Sequence, residues 1–152
     1  MAKQDEAWMR AALALAEQAA EKGEVPVGAL VVDPEGVVIA EAHNAPIAEQ
    51  DPTGHAEMLA LRRAAKALGN YRLTGCTLVV TLEPCAMCAG AISHARIARL
   101  VYGTDDAKGG AVAHGPKLFD QPTIHHRPEV TGGVLADEAA ALLRGFFAAR
   151  RR

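Results

Sequence analysis

No stretch of this 152-residue chain approaches the roughly 18 consecutive apolar residues that would cross a membrane, so no membrane partner is expected. Cysteine is scarce: there are three, an odd number, and two of them stand in a C-x-x-C. That excludes a disulfide framework and makes a reducing cytoplasm the expected compartment. No basic excess exists either, since the net charge is −2. A chain that binds nucleic acid through bulk charge is therefore excluded, and any RNA contact must rest on local groups. Arg144, Arg150, Arg151 and Arg152 supply some positive charge near the C-terminus, where a solvated helix end would use the same residues. Residues 1–6 carry acid and lack an apolar core, which fits neither a signal nor a transit peptide. Internal repeats, linkers and low-complexity segments are also lacking, so residues 1–152 read as one domain.

What is present is a regular alternation of elements. Residues 6–22 predict a helix with Met9, Leu13, Ala16 and Ala20 on one face, stopped by Gly23. Residues 25–42 read as a β-hairpin around the turn Asp33-Pro34-Glu35-Gly36. Asp51 and Pro52 have the chemistry of an N-cap and first helical position, opening a second helix that Gly69 ends. Cys76 to Leu82 suits a strand buried on both faces, with Cys76 itself a small buried hydrophobe. A third helix begins at Pro84 and runs to about His94, and Leu100 to Gly103 forms a fourth strand parallel to the third. Residues 104–127 show little periodicity apart from a short helix near Lys117–Asp120. Glu129 to Leu135 is a weak fifth strand, and residues 136–150 are a helix with Leu142, Leu143, Phe146 and Phe147 apolar. This order describes an α/β fold, a three-layer α/β/α sandwich around a five-stranded mixed sheet.

The chemistry concentrates in His55-Ala56-Glu57 and Thr81-Leu82-Glu83-Pro84-Cys85-Ala86-Met87-Cys88. Cys85 and Cys88, three apart, share a helix face in a first turn, where the positive helix end favours thiolates. With His55 they make three zinc ligands and leave one tetrahedral position open, the arrangement of a hydrolytic site. Zinc lowers the pKa of bound water to roughly 7, which gives hydroxide at neutral pH. Glu57, two residues beyond His55, is better placed to carry protons beside the metal than to be a fourth ligand. H-x-E…P-C-x-x-C is the signature of zinc nucleobase deaminases. A structural zinc clip would need a fourth protein ligand. Only Cys76 and the spare imidazoles His43, His94, His114, His125 and His126 could offer one, none at regular finger spacing.

Further residues carry a resemblance. Val25-Pro26-Val27-Gly28-Ala29, Asn44, Asp51-Pro52-Thr53-Gly54-His55-Ala56-Glu57, Tyr71-Arg72-Leu73, Thr81 to Ala91, and Tyr102-Gly103 with Asp106-Ala107-Lys108 resemble the bacterial tRNA-specific adenosine deaminases. The likeness runs from about residue 7 to 151. It implies a homodimeric, cytidine deaminase-like fold that deaminates the wobble adenosine of a transfer RNA, an arginine one, to inosine. His55, Cys85 and Cys88 would then hold one Zn²⁺ per subunit, with Glu57 the proton donor. Asn44 would hold the nucleoside, Val27, Gly28 and Ala29 would line the base pocket, and Asp106 would contact the nucleic-acid backbone. Phe146 and Phe147, beside Arg144, would meet an entering anticodon stem-loop. Gly54 and Asp105 depart from the family pattern, and residues 112–125 follow it loosely. Two other readings share the metal set: a free-base or nucleoside deaminase acting on guanine, cytosine or cytidine, and a non-catalytic zinc-stabilised RNA-binding module.

Overall fold

The computed structural model describes residues 2–150. Arg151 and Arg152, expected to add local positive charge, lie outside the described residues. Helix α1 (Ala2–Glu21) leads into the hairpin β1 (Gly28–Val32) and β2 (Val38–His43). Then come α2 (Ala56–Leu68), β3 (Thr77–Leu82), α3 (Ala86–Ala95), β4 (Arg99–Thr104), a 3₁₀ turn at Leu118–Asp120, β5 (Glu129–Thr131) and α4 (Ala136–Arg150). The sheet order is β2-β1-β3-β4-β5, with β1 antiparallel to both β2 and β3, and β3, β4 and β5 parallel. The expected mixed five-stranded sheet and the parallel pairing of the third and fourth strands are both present.

Strand alternation sorts the core into two layers. Ala29, Val31, Leu78, Val80, Leu100 and Tyr102 pack with α2 and α3, whereas Leu30, Val32, Val79 and Val101 pack with Met9 and Ala12 of α1. Cys76 is fully buried, as expected of a small hydrophobe. On α1 the fully buried stripe is Met9, Ala12, Ala16 and Ala19, so the face is rotated slightly from the expected one and Leu13 packs at its margin. Gly28 explains the rotation. A Cβ there would sit 2.0 Å from the Ala12 carbonyl oxygen and 2.7 Å from the Ala16 nitrogen, so the helix backbone lies directly on the strand. Only small residues can face such an approach.

Four boundaries differ from expectation, each for a local reason. β1 starts at Gly28 because Pro26 has no N–H to donate and the Val27 N–H turns back to the Val25 carbonyl. α2 starts at Ala56, not at Pro52. The Asp51 carboxylate accepts the Thr53 backbone N–H and hydroxyl at 2.8 and 2.7 Å, closing a turn before any helix forms. α3 starts at Ala86 with Cys85 as its N-cap, so Pro84 stands just outside the helix. β5 stops at Thr131, before the paired glycines. The apolar face of α4 is also less covered than its sequence suggests: Ala139 is its one fully buried residue among those described.

Candidate active site

Beyond the carboxyl end of β3, the N-termini of α2 and α3 meet. His55 is the N-cap of α2 and Cys85 the N-cap of α3, both with extended backbone and neither making the usual side-chain cap bond. Their side chains turn to each other instead. His55 Nδ1 lies 3.7 Å from Cys85 Sγ and 3.6 Å from Cys88 Sγ. Tetrahedral zinc with ordinary Zn–S and Zn–N lengths separates nitrogen from sulfur by about 3.6 Å, so the trio has the spacing that zinc requires. Among the described residues the group stops at three, because Cys76 is sealed in the core and no other imidazole joins it. The four-ligand structural clip is therefore absent from the described residues.

The two thiols divide their protons unequally. Cys85 is pulled down to about 5 by the hydrogen bond from the Cys88 thiol, helped by the N–H groups of Cys88 and Met87 and by His55, against its own burial. Cys88 is pushed up by that same bond and by burial. A dication would take the place of the one proton they share. Glu57 is 4% exposed, and its carboxyl is pushed up to about 7. Burial is the main cause and the Cys85 charge adds to it, while its own backbone N–H and His55 oppose. A carboxyl that exchanges protons near neutrality is what proton transfer in a water-derived reaction demands.

Above this group lies a cavity of about 310 Å³, lined by Val25, Val27, Asn44, Pro46, His55, Glu57, Leu82, Glu83, Cys85, Asp106 and Gly109. Of the residues singled out in the sequence, Val27, Asn44 and Asp106 stand on its wall. Asn44 Oδ1 accepts the Ala56 N–H at 2.8 Å, capping α2 and leaving its amide N–H₂ for other partners. Gly28 and Ala29 do not line the cavity. Gly28 faces α1, with its N–H donated to Thr81 Oγ1, and Ala29 is fully buried in the sheet layer. A second cavity of about 520 Å³ adjoins the first, sharing Val25, Leu82 and Asp106 and adding Asp105, Ala107, Lys108, Leu143 and Phe147. Phe147 is 42% exposed on its wall, whereas Phe146 is half-buried, edge-on to Phe147 and covered by the Arg150 guanidinium at 4.5 Å.

The family profile described as the cytidine and deoxycytidylate deaminase zinc-binding region matches residues 2–104. The chain belongs to this zinc-binding deaminase family. The deaminase is 52% identical over 147 residues to the tRNA-specific adenosine deaminase of Haemophilus influenzae, covering 97% of this chain and 85% of that one. It is 46% identical over 149 residues to the protein of that name from Bacillus subtilis, covering 98% and 92%. A solved structure from biochemical and structural studies of A-to-I editing by tRNA:A34 deaminases at the wobble position superposes with a TM-score of 0.88. It shares 51% identity and covers 90% of this chain and 98% of that one. The guanine deaminase from Nitrosomonas europaea shares the fold at 0.77 and 28% identity, covering 94% and 84%. The family binds zinc, and the His55, Cys85 and Cys88 group is one that could hold it in this deaminase.

Sequence reasoning did not assign Val25, Pro46, Leu82, Gly109 or Glu83 to the deaminase cavity, and the ionisable one of the five is Glu83. It is 2% exposed, and burial, which would raise its carboxyl, is outweighed by hydrogen bonds from the Asp106 N–H, His114, and the Val112 and Ala113 N–H groups. The available signal was an acid ending an otherwise apolar strand, immediately before Pro84 and Cys85.

Proposed function

We propose that this deaminase hydrolyses the wobble adenosine of a transfer RNA, an arginine one, to inosine and ammonia. The observation that carries the reading is near-full-length likeness to proteins named for adenosine deamination in tRNA, against 28% identity to the guanine deaminase of the same fold. The floor plan supports it. A free base needs one closed pocket, whereas here the cavity over Glu57 opens onto a second one walled by Phe147 and Lys108. An RNA base splayed from its loop brings neighbours that need such a surface, with aromatic rings to stack on.

When bound, zinc supplies the Lewis acidity that makes water nucleophilic at neutral pH. Glu57 does the proton work: it accepts the proton water loses and gives it to the adenine ring nitrogen, then takes the proton of the new hydroxyl on the ring carbon and gives it to the amine, which leaves as ammonia. Its near-neutral carboxyl suits both directions of transfer. Asn44, with Oδ1 committed to the helix end, presents its amide N–H₂ to the nucleoside. Val27 gives the base an apolar wall, and Leu82 and Val25 line both cavities. Asp106 Oδ1 accepts the Lys108 and Gly109 N–H groups, which leaves Oδ2 to accept a sugar hydroxyl. The apolar cavity of about 340 Å³ between α2 and α3, with Tyr71 69% exposed, is the face we assign to a second copy of the chain. Light scattering that gives a monomer would remove that assignment. A cytoplasmic location follows from the substrate.

The test is an anticodon stem-loop carrying adenosine at the wobble position. The wild-type protein should form inosine, and Glu57→Ala should keep its zinc but lose roughly 100-fold or more in rate. Ammonia released only from free guanine, cytosine or cytidine would favour the free-base reading, and no turnover of any substrate would favour a binding module. A zinc-replete Glu57→Ala that edits at the wild-type rate would remove Glu57 from the mechanism.

A further inference from the structure

We infer that Glu83 is a positioning residue for the substrate. Its buried carboxylate holds the 105–114 loop, and so Asp106 and Gly109, at a fixed distance from the metal ligands. The loop forms no helix or strand, and five polar groups of residues 106–114 converge on a single side chain. Glu83 Oε1 accepts the Asp106 N–H at 2.9 Å and faces His114 Nδ1 at 2.8 Å. Oε2 accepts the N–H groups of Val112, Ala113 and His114 at 3.1, 2.8 and 3.1 Å. The loop is thus wrapped around an anion, in the way successive backbone N–H groups cradle one.

The glycines record the same geometry independently. A Cβ on Gly110 would lie 2.4 Å from Glu83 Cδ and 2.5 Å from Oε2, so the residue facing the carboxylate has no room for a side chain. Gly115 in turn has left-handed backbone, and a Cβ there would lie 2.6 Å from the Gly110 carbonyl oxygen. On the other side, Glu83 is joined through Pro84 to Cys85, and the Pro84 carbonyl accepts the Ala111 N–H at 2.9 Å. One residue therefore connects the strand end that delivers a metal ligand to the loop that walls the cavity. Asp106 and Gly109 stand on that wall and Asp105 to Lys108 on the adjoining one, so displacing the loop changes the site where RNA is read and leaves the trio in place.

The inference rests on the proposed RNA substrate for its kinetic arm alone. Full-length Glu83→Gln keeps the shape but turns one acceptor into an N–H₂ group that confronts the loop donors. Losing charge-assisted bonds of this kind should speed amide hydrogen exchange across residues 106–114 by about tenfold or more. KM for the stem-loop should rise by about the same factor, with kcat at saturating RNA within about threefold and zinc content unchanged. Gly110→Ala leaves the carboxylate in the chain and forces it away from the loop, so it must reproduce the KM rise and stands in if Glu83→Gln does not fold. Wild-type exchange in the loop, or a wild-type KM in either folded variant, would overturn the role. So would a fall in zinc content or kcat with KM unchanged, because Glu83 would then act on the ligands. If the wild-type protein does not edit the stem-loop, the proposed substrate fails, and the exchange measurement still decides the clamp.

Discussion

Glu57 allows a stability test that needs no substrate. Its ordinary value is 4.5, and burial pushes it up to about 7. In metal-stripped protein below pH 4.5, folded and unfolded chains both hold the proton, so the group costs nothing. Between 4.5 and about 7 the unfolded chain ionises first, and stability falls as pH rises. Above about 7 the penalty is constant at roughly 3 kcal/mol, from the difference between the two values. Glu57→Gln removes it. The metal-free variant should exceed the metal-free parent by roughly 3 kcal/mol at pH 8, or roughly 6–12 °C in Tm for a chain of this size, and by almost nothing at pH 4. Loading with zinc should shrink or reverse the gain, because a dication favours the carboxylate. Thermal denaturation in chelator at pH 4, 6 and 8 reads these differences. Parallel pH profiles for parent and variant would refute the claim that burial sets the Glu57 proton.

Further substitutions at two places probe how the site is carried. Gly28→Ala forces a Cβ against the α1 backbone and should cost about 3 kcal/mol in urea denaturation, and a wild-type midpoint would contradict the close approach of α1 to β1. Arg99 pairs with buried Asp5 through two bonds of 2.7 and 2.6 Å, tying α1 to β4. Asp5→Ala strands that guanidinium and should cost about 3–5 kcal/mol, whereas Asp5→Leu with Arg99→Met should recover most of the loss in a double-mutant cycle.

Periodicity made the sheet legible. Val79 and Val80, or Leu30 and Val31, sit in a run apolar on both faces because helices cover both sides. The metal trio was legible because His55, Cys85 and Cys88 are unusual chemistry at fixed spacing. Helix starts were less so: Asp51 looks like a cap and instead closes a turn with Thr53, and the true caps, His55 and Cys85, are poor capping residues whose side chains turn to each other. The 104–127 segment was illegible because much of its order is non-local, supplied from more than twenty positions away by Glu83 to residues 106–114 and by Ser93 and Arg96 to His126 and His125. Gly28 was placed with the pocket by resemblance, whereas its missing side chain answers to α1.

The two helix ends that converge at the trio have a consequence for the chain as a polymer. His55 and Cys85 are 30 residues apart, and the segment between them contains all of α2 and β3. An ion joining them closes that segment into a ring, as a disulfide would. Ring closure of this length lowers the entropy of the unfolded chain by an amount worth about 3–4 kcal/mol. An ion that both ligands kept on unfolding would thus shorten the list of conformations the unfolded chain can visit. A central strand and the helix packed over it gain or lose their tether together with the capacity to react.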